Sequence, residues 1–499
     1  MEVRPSIRIV WLKRDLRLLD HAPMCAALQG DLPVLFMFLF EPSVEENPDW
    51  SWRHGQFQYF SIQEMNVELA KYGSKVHIFY EEAMDVFAYL HKHFDIQGVY
   101  SHQETGVRVT YDRDLAVASY FKEKGIDWYE YQTNGVLRGK GNREEWGKKW
   151  EAYMQSPLEN PVLDKLQVFD FEVPIAFWAT YSHQKNFKEY PKQFQPAGEA
   201  KAWHYAKTFF AKRAQGYLKH LSEAEASRQF CSRLSPYLAW GNISSRQIYQ
   251  YCVGKLEKSH YKRSLQAFCV RLQWRCHFIQ KFEMEERYEF EHLNKGYAML
   301  EQPILPAHLT AWKKGKTGFP IIDACMRCVI ETGYLNFRMR ALLVSFLTHT
   351  LWQPWQSGVY HLAQQFLDYE TGIHFCQFQM QAGVLGTNTV RIYNPIKQSQ
   401  EQDAQGIFIK RWLPELVNLP TALLHEPWKM TDMEQTMYHC RLGVDYPNAI
   451  IDLKTAMKKA AETLWTWRKL PEVLQENKRI LKQHIEHNTQ ETIKKAPHN

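Results

Sequence analysis

The hydrophobic period of this chain changes once, and that change limits the folds open to it. From residue 7 to about 132, short β-rich runs (IRIVWL, VLFMFLF, KVHIFY, GVYSH and DWYEY) alternate with segments of helical period such as 56–72 and 111–124. Strands separated by helices pair in parallel through right-handed crossovers. The first 135 residues are therefore expected to form a doubly wound, Rossmann-like parallel α/β sheet domain. From 203 to 467 the two-residue period vanishes and almost every periodic segment is helical, clearest at 245–255, 264–283, 321–332 and 337–351. Residues 201–475 are expected to form a separate all-α domain. Between the two, residues 136–200 lack periodicity and carry Pro161, Pro174, Pro191 and Pro196, which predicts a connector crossing the surface. Residues 476–499 read as a polar tail that frays.

Bulk composition excludes several classes. Nine cysteines, an odd number in 499 residues, argue against a disulfide framework and for a reducing compartment. The N-terminal MEVRPSIRIVWLKRDLRL has no apolar core or cleavage site of a signal peptide, and no run reaches the ~20 apolar residues of a membrane span. A soluble, cytoplasmic protein is expected, and a monomer. Seventeen tryptophans in a chain that is 14% aromatic suit stacking on flat rings as well as core packing. A net charge of +6 permits a polyanionic partner without requiring one.

The first strand is followed by no GxGxxG, so an ordinary dinucleotide site there is unsupported. Arg271, Trp274, Arg275 and Phe278 share one helical stripe opposite the apolar Leu265, Phe268, Leu272, Cys276 and Ile279. Two cations and two aromatics on an otherwise buried helix need something to face. In CSRLSPYLAWGNIS, Ser232, Arg233 and Ser235 precede a proline-led helix, an arrangement that serves an anion site or a plain N-cap. Arg338 and Arg340 open an apolar helix, with Asp368 and Glu370 about thirty residues on, as a structural lock or a ligand site would have them. Cys325 and Cys328 form a CxxC with no second pair, and the 21 histidines show no zinc spacing, so no metal is expected. GKTGFP lacks the first glycine of a phosphate loop and follows no strand.

The order WLKRDLRLLDH, SRLSPYLAWGNIS, WKKGKTGFPIIDACMR, RIYNP and FIKRWLPEL, spread over residues 7 to 450, resembles the photolyase/cryptochrome family. The resemblance implies an antenna-type α/β domain and a helical domain holding FAD. It places Tyr217, Ser232, Leu234 and Ser235 at the FAD phosphates and ribityl chain, and Arg275 at the pyrophosphate. Arg340 and Asp368 would lie beside the isoalloxazine, with Glu370 where the family usually has Asp. It implies light-driven electron transfer to pyrimidine dimers in damaged DNA, with Trp274 stacking on the flipped lesion and Arg338 and Arg391 on phosphates. A second chromophore, of folate or deazaflavin type or none, is left open by SHQETGVRVTYDRD.

Four features depart from the family's repair pattern. Arg271 stands where a glutamate usually meets the dimer, and His374 where Asn or Asp usually faces flavin N5. Met380 replaces the second stacking tryptophan. The photoreducing tryptophan triad falls on Gln302, Trp355 and Phe378, of which only Trp355 keeps the ring, with Trp352 or Tyr369 as alternative routes. A dimer-splitting lyase is the first reading. A cryptochrome-type blue-light sensor that binds FAD without repairing DNA is the second.

Overall fold

The computed structural model describes residues 4–177 and 189–485. Five parallel strands, β1 (Ser6–Leu12), β2 (Val34–Leu39), β3 (Val76–Phe79), β4 (Asp95–His102) and β5 (Trp128–Tyr131), form one sheet in the order β3-β2-β1-β4-β5. Strand order reverses at β1, the place where open α/β sheets leave a crevice beyond the carboxyl ends. Ile7, Ile9 and Trp11 pack into one layer with Leu35, Phe87 and Phe121. Val10 and Leu12 pack into the other with Phe36, Ile62 and Met65. Burial on both faces makes these strands nearly continuous apolar runs rather than alternating ones.

The helices used below are α1 (Trp52–Leu69), α2 (Ala83–His93), α3 (Arg108–Lys124), α4 (Trp146–Gln155), α5 (Ser245–Leu256), α6 (Lys262–Met284), α7 (Pro320–Thr332), α8 (Phe337–Ser345), α9 (Thr371–Gln381) and α10 (Pro471–His484). Three expectations need correction. The connector is not featureless: α4 buries Trp146, Trp150 and Met154, and the Trp146 indole donates to the Gly135 carbonyl at 3.0 Å. The tail does not begin at 476, because α10 runs to His484 and buries Val473, Ile480 and His484. Arg479 and His484 both bond Glu285, at 2.6 and 2.9 Å. Residues 178–188 of the connector and 486–499 of the tail lie outside the described residues. The helix expected over 337–351 ends at Ser345 and continues as a π turn, Phe346–Thr350. There the His349 and Thr348 side chains bond back to Ser345 and Val344.

The sheet domain is held to the helical region through the WGNIS turn. Gly241 adopts φ 73°, and a Cβ there would sit 2.2 Å from the Arg14 carbonyl oxygen, so only glycine fits. Asn242 donates to Leu16 O at 2.9 Å, Arg17 to Gly241 O at 3.2 Å, and Ser244 to Asp20 at 2.5 Å. Within the helical region α6 and α9 touch almost backbone to backbone. A Cβ on Gly372 would lie 2.6 Å from Ile279 Cα.

Candidate functional site

Helices α8 and α9 and the loops before them enclose a cavity of about 270 Å3. One wall is Tyr217, Leu221, Ser232, Arg233 and Ser235; the other is Tyr334, Phe337, Phe366, His374 and Phe378. Asn336 ties the walls together: its carbonyl oxygen accepts from Met339 N at 2.9 Å, capping α8, and its amide donates to Glu223 O and Ser227 Oγ at 2.8 Å each. The helix after Arg233 is only Ser235–Ala239, too short for a sizeable dipole, and Ser232 Oγ accepts from Leu234 N–H at 3.3 Å. What this segment offers a ligand is therefore hydroxyls rather than a helix field.

Charge at the cavity comprises one ion pair, Arg340 with Asp368, and the guanidinium of Arg233. Arg340 Nη2 donates to both oxygens of Asp368, at 2.9 and 2.7 Å, and its Nε to Leu335 O at 2.8 Å. The guanidinium lies 4.0 Å over the Phe366 ring. Arg233, held at φ 61°, stacks 3.7 Å over Tyr334, and its Nε donates to Gln195 at 2.9 Å. His374 donates from Nε2 to Val359 O at 2.8 Å. Burial pushes this imidazole down to about 4, so at neutral pH it is uncharged, with Nδ1 left as an acceptor. Burial likewise drives the Tyr217 phenol up to about 12.

Residues 8–148 match the family model described as DNA photolyase, and residues 268–466 match the FAD binding domain of DNA photolyase. The chain belongs to the photolyase/cryptochrome family. A deoxyribodipyrimidine photo-lyase of Alkalihalophilus pseudofirmus is 29% identical over 480 residues, covering 91% of this chain and 97% of that protein. A cryptochrome DASH of Gloeobacter violaceus is 26% identical, covering 89% and 93%. Among solved structures, a class III photolyase from Agrobacterium tumefaciens shares the fold with a TM-score of 0.81 at 21% identity, covering 94% of this chain and 99% of its own. An archaeal photolyase from Sulfolobus tokodaii, solved with two FAD molecules, gives a TM-score of 0.75 at 25% identity, covering 92% and 99%.

The cavity suits the FAD of this family. It joins flat aromatic walls, the hydroxyls of Ser232 and Ser235, one Arg–carboxylate pair and a neutral histidine acceptor. Tyr217, Ser232, Ser235, Arg340, Asp368 and His374, all expected from the photolyase resemblance, line it together. Leu234 is buried behind the wall rather than on it.

Arg275 and Glu370 do not line this cavity. They pair with each other and line the cleft between the sheet and the helical region, with Arg275 also donating to Leu238 O at 2.7 Å. From the sheet side Arg14 reaches Glu370 at 3.5 Å and Tyr369 O at 2.9 Å, and stacks 4.5 Å over Trp240. A glutamate, one methylene longer than the family's aspartate, spans to this second arginine.

Trp274 is 45% exposed, with its ring stacked on Phe278 at 5.7 Å. Arg271 is exposed one turn earlier and acts on Tyr217 at the cavity. Arg338 donates to the Tyr393 hydroxyl at 3.1 Å, and Arg391 is exposed. Met380 is half-buried against the core, outside the cavity wall. Trp355 is fully buried and also off the wall, its indole directed at His292 Nδ1 at 3.4 Å. Of the alternative rings, Tyr369 lies 5.3 Å edge-on from His374.

Sequence reasoning missed Gln377 and Gln381, which line the cavity at i+3 and i+7 from His374 and were open to a helical count. It also missed a buried knot at the ends of β1 and β4. Among the described residues, Asp15, His21 and His102 form the one group close enough to share a metal ion. His102 Nδ1 lies 2.7 Å and His21 Nε2 3.1 Å from the same Asp15 oxygen, while the other oxygen accepts from Lys13 N at 2.7 Å. Because His21 Nδ1 accepts from Met24 N–H at 3.2 Å, its proton sits on Nε2 and faces the carboxylate, where a metal would need a lone pair. Burial raises the Asp15 carboxyl, but the hydrogen bonds from His102 and His21 outweigh it and hold the group well below its ordinary range. The geometry is that of a hydrogen-bonded lock. No helix among the described residues is long and apolar enough to cross a membrane.

Proposed function

We propose that this flavoprotein is a light-driven DNA photolyase acting on pyrimidine dimers. The observation that carries the reading is the exposed face of α6. A half-exposed, stacked tryptophan stands one turn from an exposed arginine whose side chain reaches Tyr217 on the cavity wall. An exposed aromatic ledge with cations beside it suits a base lifted out of a duplex and its flanking phosphates.

Bound FAD supplies the electron released by light. The chain's own residues do the rest. Tyr217, Ser232 and Ser235 would hold the phosphates and ribityl chain, and Arg340 with Asp368 the polar edge of the ring system. His374, fixed by Val359 O in the Nε2–H tautomer, would present an acceptor to a ring N–H. Trp274 would stack on the extruded lesion. Arg271 would hold a pyrimidine carbonyl, donating in place of the carboxylic acid that the family usually has there. Arg338 and Arg391 would meet the backbone on either side. Met380 and Trp355, both off the cavity wall, would have no direct contact with the flavin ring.

A second reading, a sensor that binds FAD and leaves DNA unrepaired, draws support from Met380, which stands away from the cavity and provides no second stacking surface. The experiment is illumination of the reduced protein with an oligonucleotide containing a cyclobutane dimer or a (6-4) product, measuring restored thymine. Restoration of either supports the lyase. Failure of both, with light still reducing the flavin, overturns it in favour of the sensor.

A further inference from the structure

Helices α5 and α6 bring two thiols together on the side of α6 away from the cleft charges. Cys269 donates to Cys252 with Sγ to Sγ at 3.0 Å, and Cys252 donates to Leu265 O at 3.5 Å. The two sulfurs are separated by 17 positions in the chain and joined by no covalent bond. Their exposures differ in a useful sense: Cys252 is fully buried and Cys269 is partly open to solvent. A disulfide needs the sulfurs at about 2.05 Å, so closure requires an approach of roughly 1 Å between side chains already facing one another.

We propose that Cys252 and Cys269 are a redox-responsive dithiol that closes into a disulfide when the protein meets a small disulfide oxidant such as oxidised glutathione. Cys269 attacks. Its thiolate displaces one thiolate from the oxidant, which leaves as free thiol after taking up the proton, and a mixed disulfide forms at Cys269. Cys252 then loses its proton and displaces the second thiol, closing the intramolecular bond. In sum, two protein thiols lose two electrons and two protons, and one disulfide oxidant becomes two thiols.

The order of attack follows from the surroundings. Once Cys269 ionises, the Cys252 thiol turns to donate to it, which lowers the Cys269 thiol and raises the Cys252 thiol in step. The other part-exposed cysteine, Cys25, is pushed the opposite way, up to about 11, by burial and by the neighbouring carboxylates of Glu159 and Asp20. The remaining cysteines are buried. Selective chemistry at Cys269 is the consequence. Arg271, Trp274 and Arg275 follow Cys269 by two, five and six residues on α6, so the bond would pin α5 to the segment that carries the exposed ledge.

The test is titration of the flavin-loaded full chain with oxidised glutathione, followed by peptide mapping without reductant. The wild type is expected to give a Cys252–Cys269 cross-link that dithiothreitol reverses, formed at least tenfold faster than glutathione is taken up at any other cysteine. C252S should instead accumulate glutathione on Cys269, while C269S should leave Cys252 unmodified. Glutathione resting on Cys269 in the wild type without a cross-link would overturn the proposal, as would faster reaction at Cys25. The wild-type map decides the matter even if either variant fails to fold.

Discussion

Substituting alanine for Gly372 tests the close contact between α6 and α9. The new methyl would lie 2.6 Å from Ile279 Cα and 3.2 Å from Phe282 Cβ. Neither atom can swing aside, because one is backbone and the other is the first atom of its side chain. Ordinary contact begins near 3.4 Å, so α9 must retreat from α6 by about 0.8 Å (3.4 less 2.6). Forced overpacking costs about 1–3 kcal/mol, and rigid neighbours place this site toward the upper end. Alanine returns roughly 0.5–1 kcal/mol through helix propensity, leaving a net loss of about 1–2 kcal/mol. Gly254 provides the control. It lies in α5, where an added Cβ meets nothing within 4 Å, so G254A should gain roughly 0.5–1 kcal/mol by propensity alone. Urea denaturation of both variants measures the two signs. The flavin-to-protein absorbance ratio should also fall in G372A, since α9 carries His374 on the cavity wall. If G372A unfolds at the same or a higher urea concentration than the wild type, the backbone contact is not as tight as described and the reasoning fails.

Arg340→Leu leaves Asp368 without its guanidinium partner and is expected to weaken flavin retention by roughly 10–100-fold, read from the flavin released on dilution. Arg271→Glu should change DNA affinity or repair yield while flavin content stays near wild type; loss of flavin instead would make Arg271 a cofactor ligand. If Arg391 meets one phosphate, Arg391→Gln should reduce the slope of log affinity against log salt by about 0.7–0.9. Burial holds the His349 imidazole down at about 4, against 6.5 in the unfolded chain. The unfolded chain therefore binds a proton that the native state refuses, and this stabilisation is complete above pH 6.5, declines below it and is gone below pH 4. At pH 5 the loss amounts to about 2 kcal/mol, and His349→Gln should flatten urea midpoints between pH 7 and 5 by that amount.

The sheet and its order of elements were open to sequence reasoning because the central strands β1 and β2 are buried on both faces and write themselves as apolar runs, with helical segments between the strands. The cavity residues Tyr217, Ser232, Ser235, Arg340, Asp368 and His374 were open to it through motif order. What stayed hidden has definite physical causes. Helix α4 turns only Trp146, Trp150 and Met154 inward, too few to raise a helical period above the surrounding prolines. In α10, lysines and glutamates outnumber the buried Val473 and Ile480, so the segment reads as a solvated tail until Glu285 gathers Arg479 and His484. The Arg275–Glu370 pair stayed hidden because its members are 95 positions apart, and Arg14 reaches the same carboxylate across 356. Nothing local in sequence reports a partnership of that span.

That three-residue bridge bears on how the two halves of such proteins can be recombined. A graft that replaced the sheet domain with one lacking arginine at position 14 would remove the Glu370 partner from the sheet side and the cation stacked on Trp240. The helical half would then meet its new companion with a buried carboxylate sharing Arg275 alone. Exchange of sheet domains between relatives is thus constrained by the matched positions 14 and 370, in addition to the contacts of the WGNIS turn. Transplants that carry both together should assemble where transplants of either one alone do not.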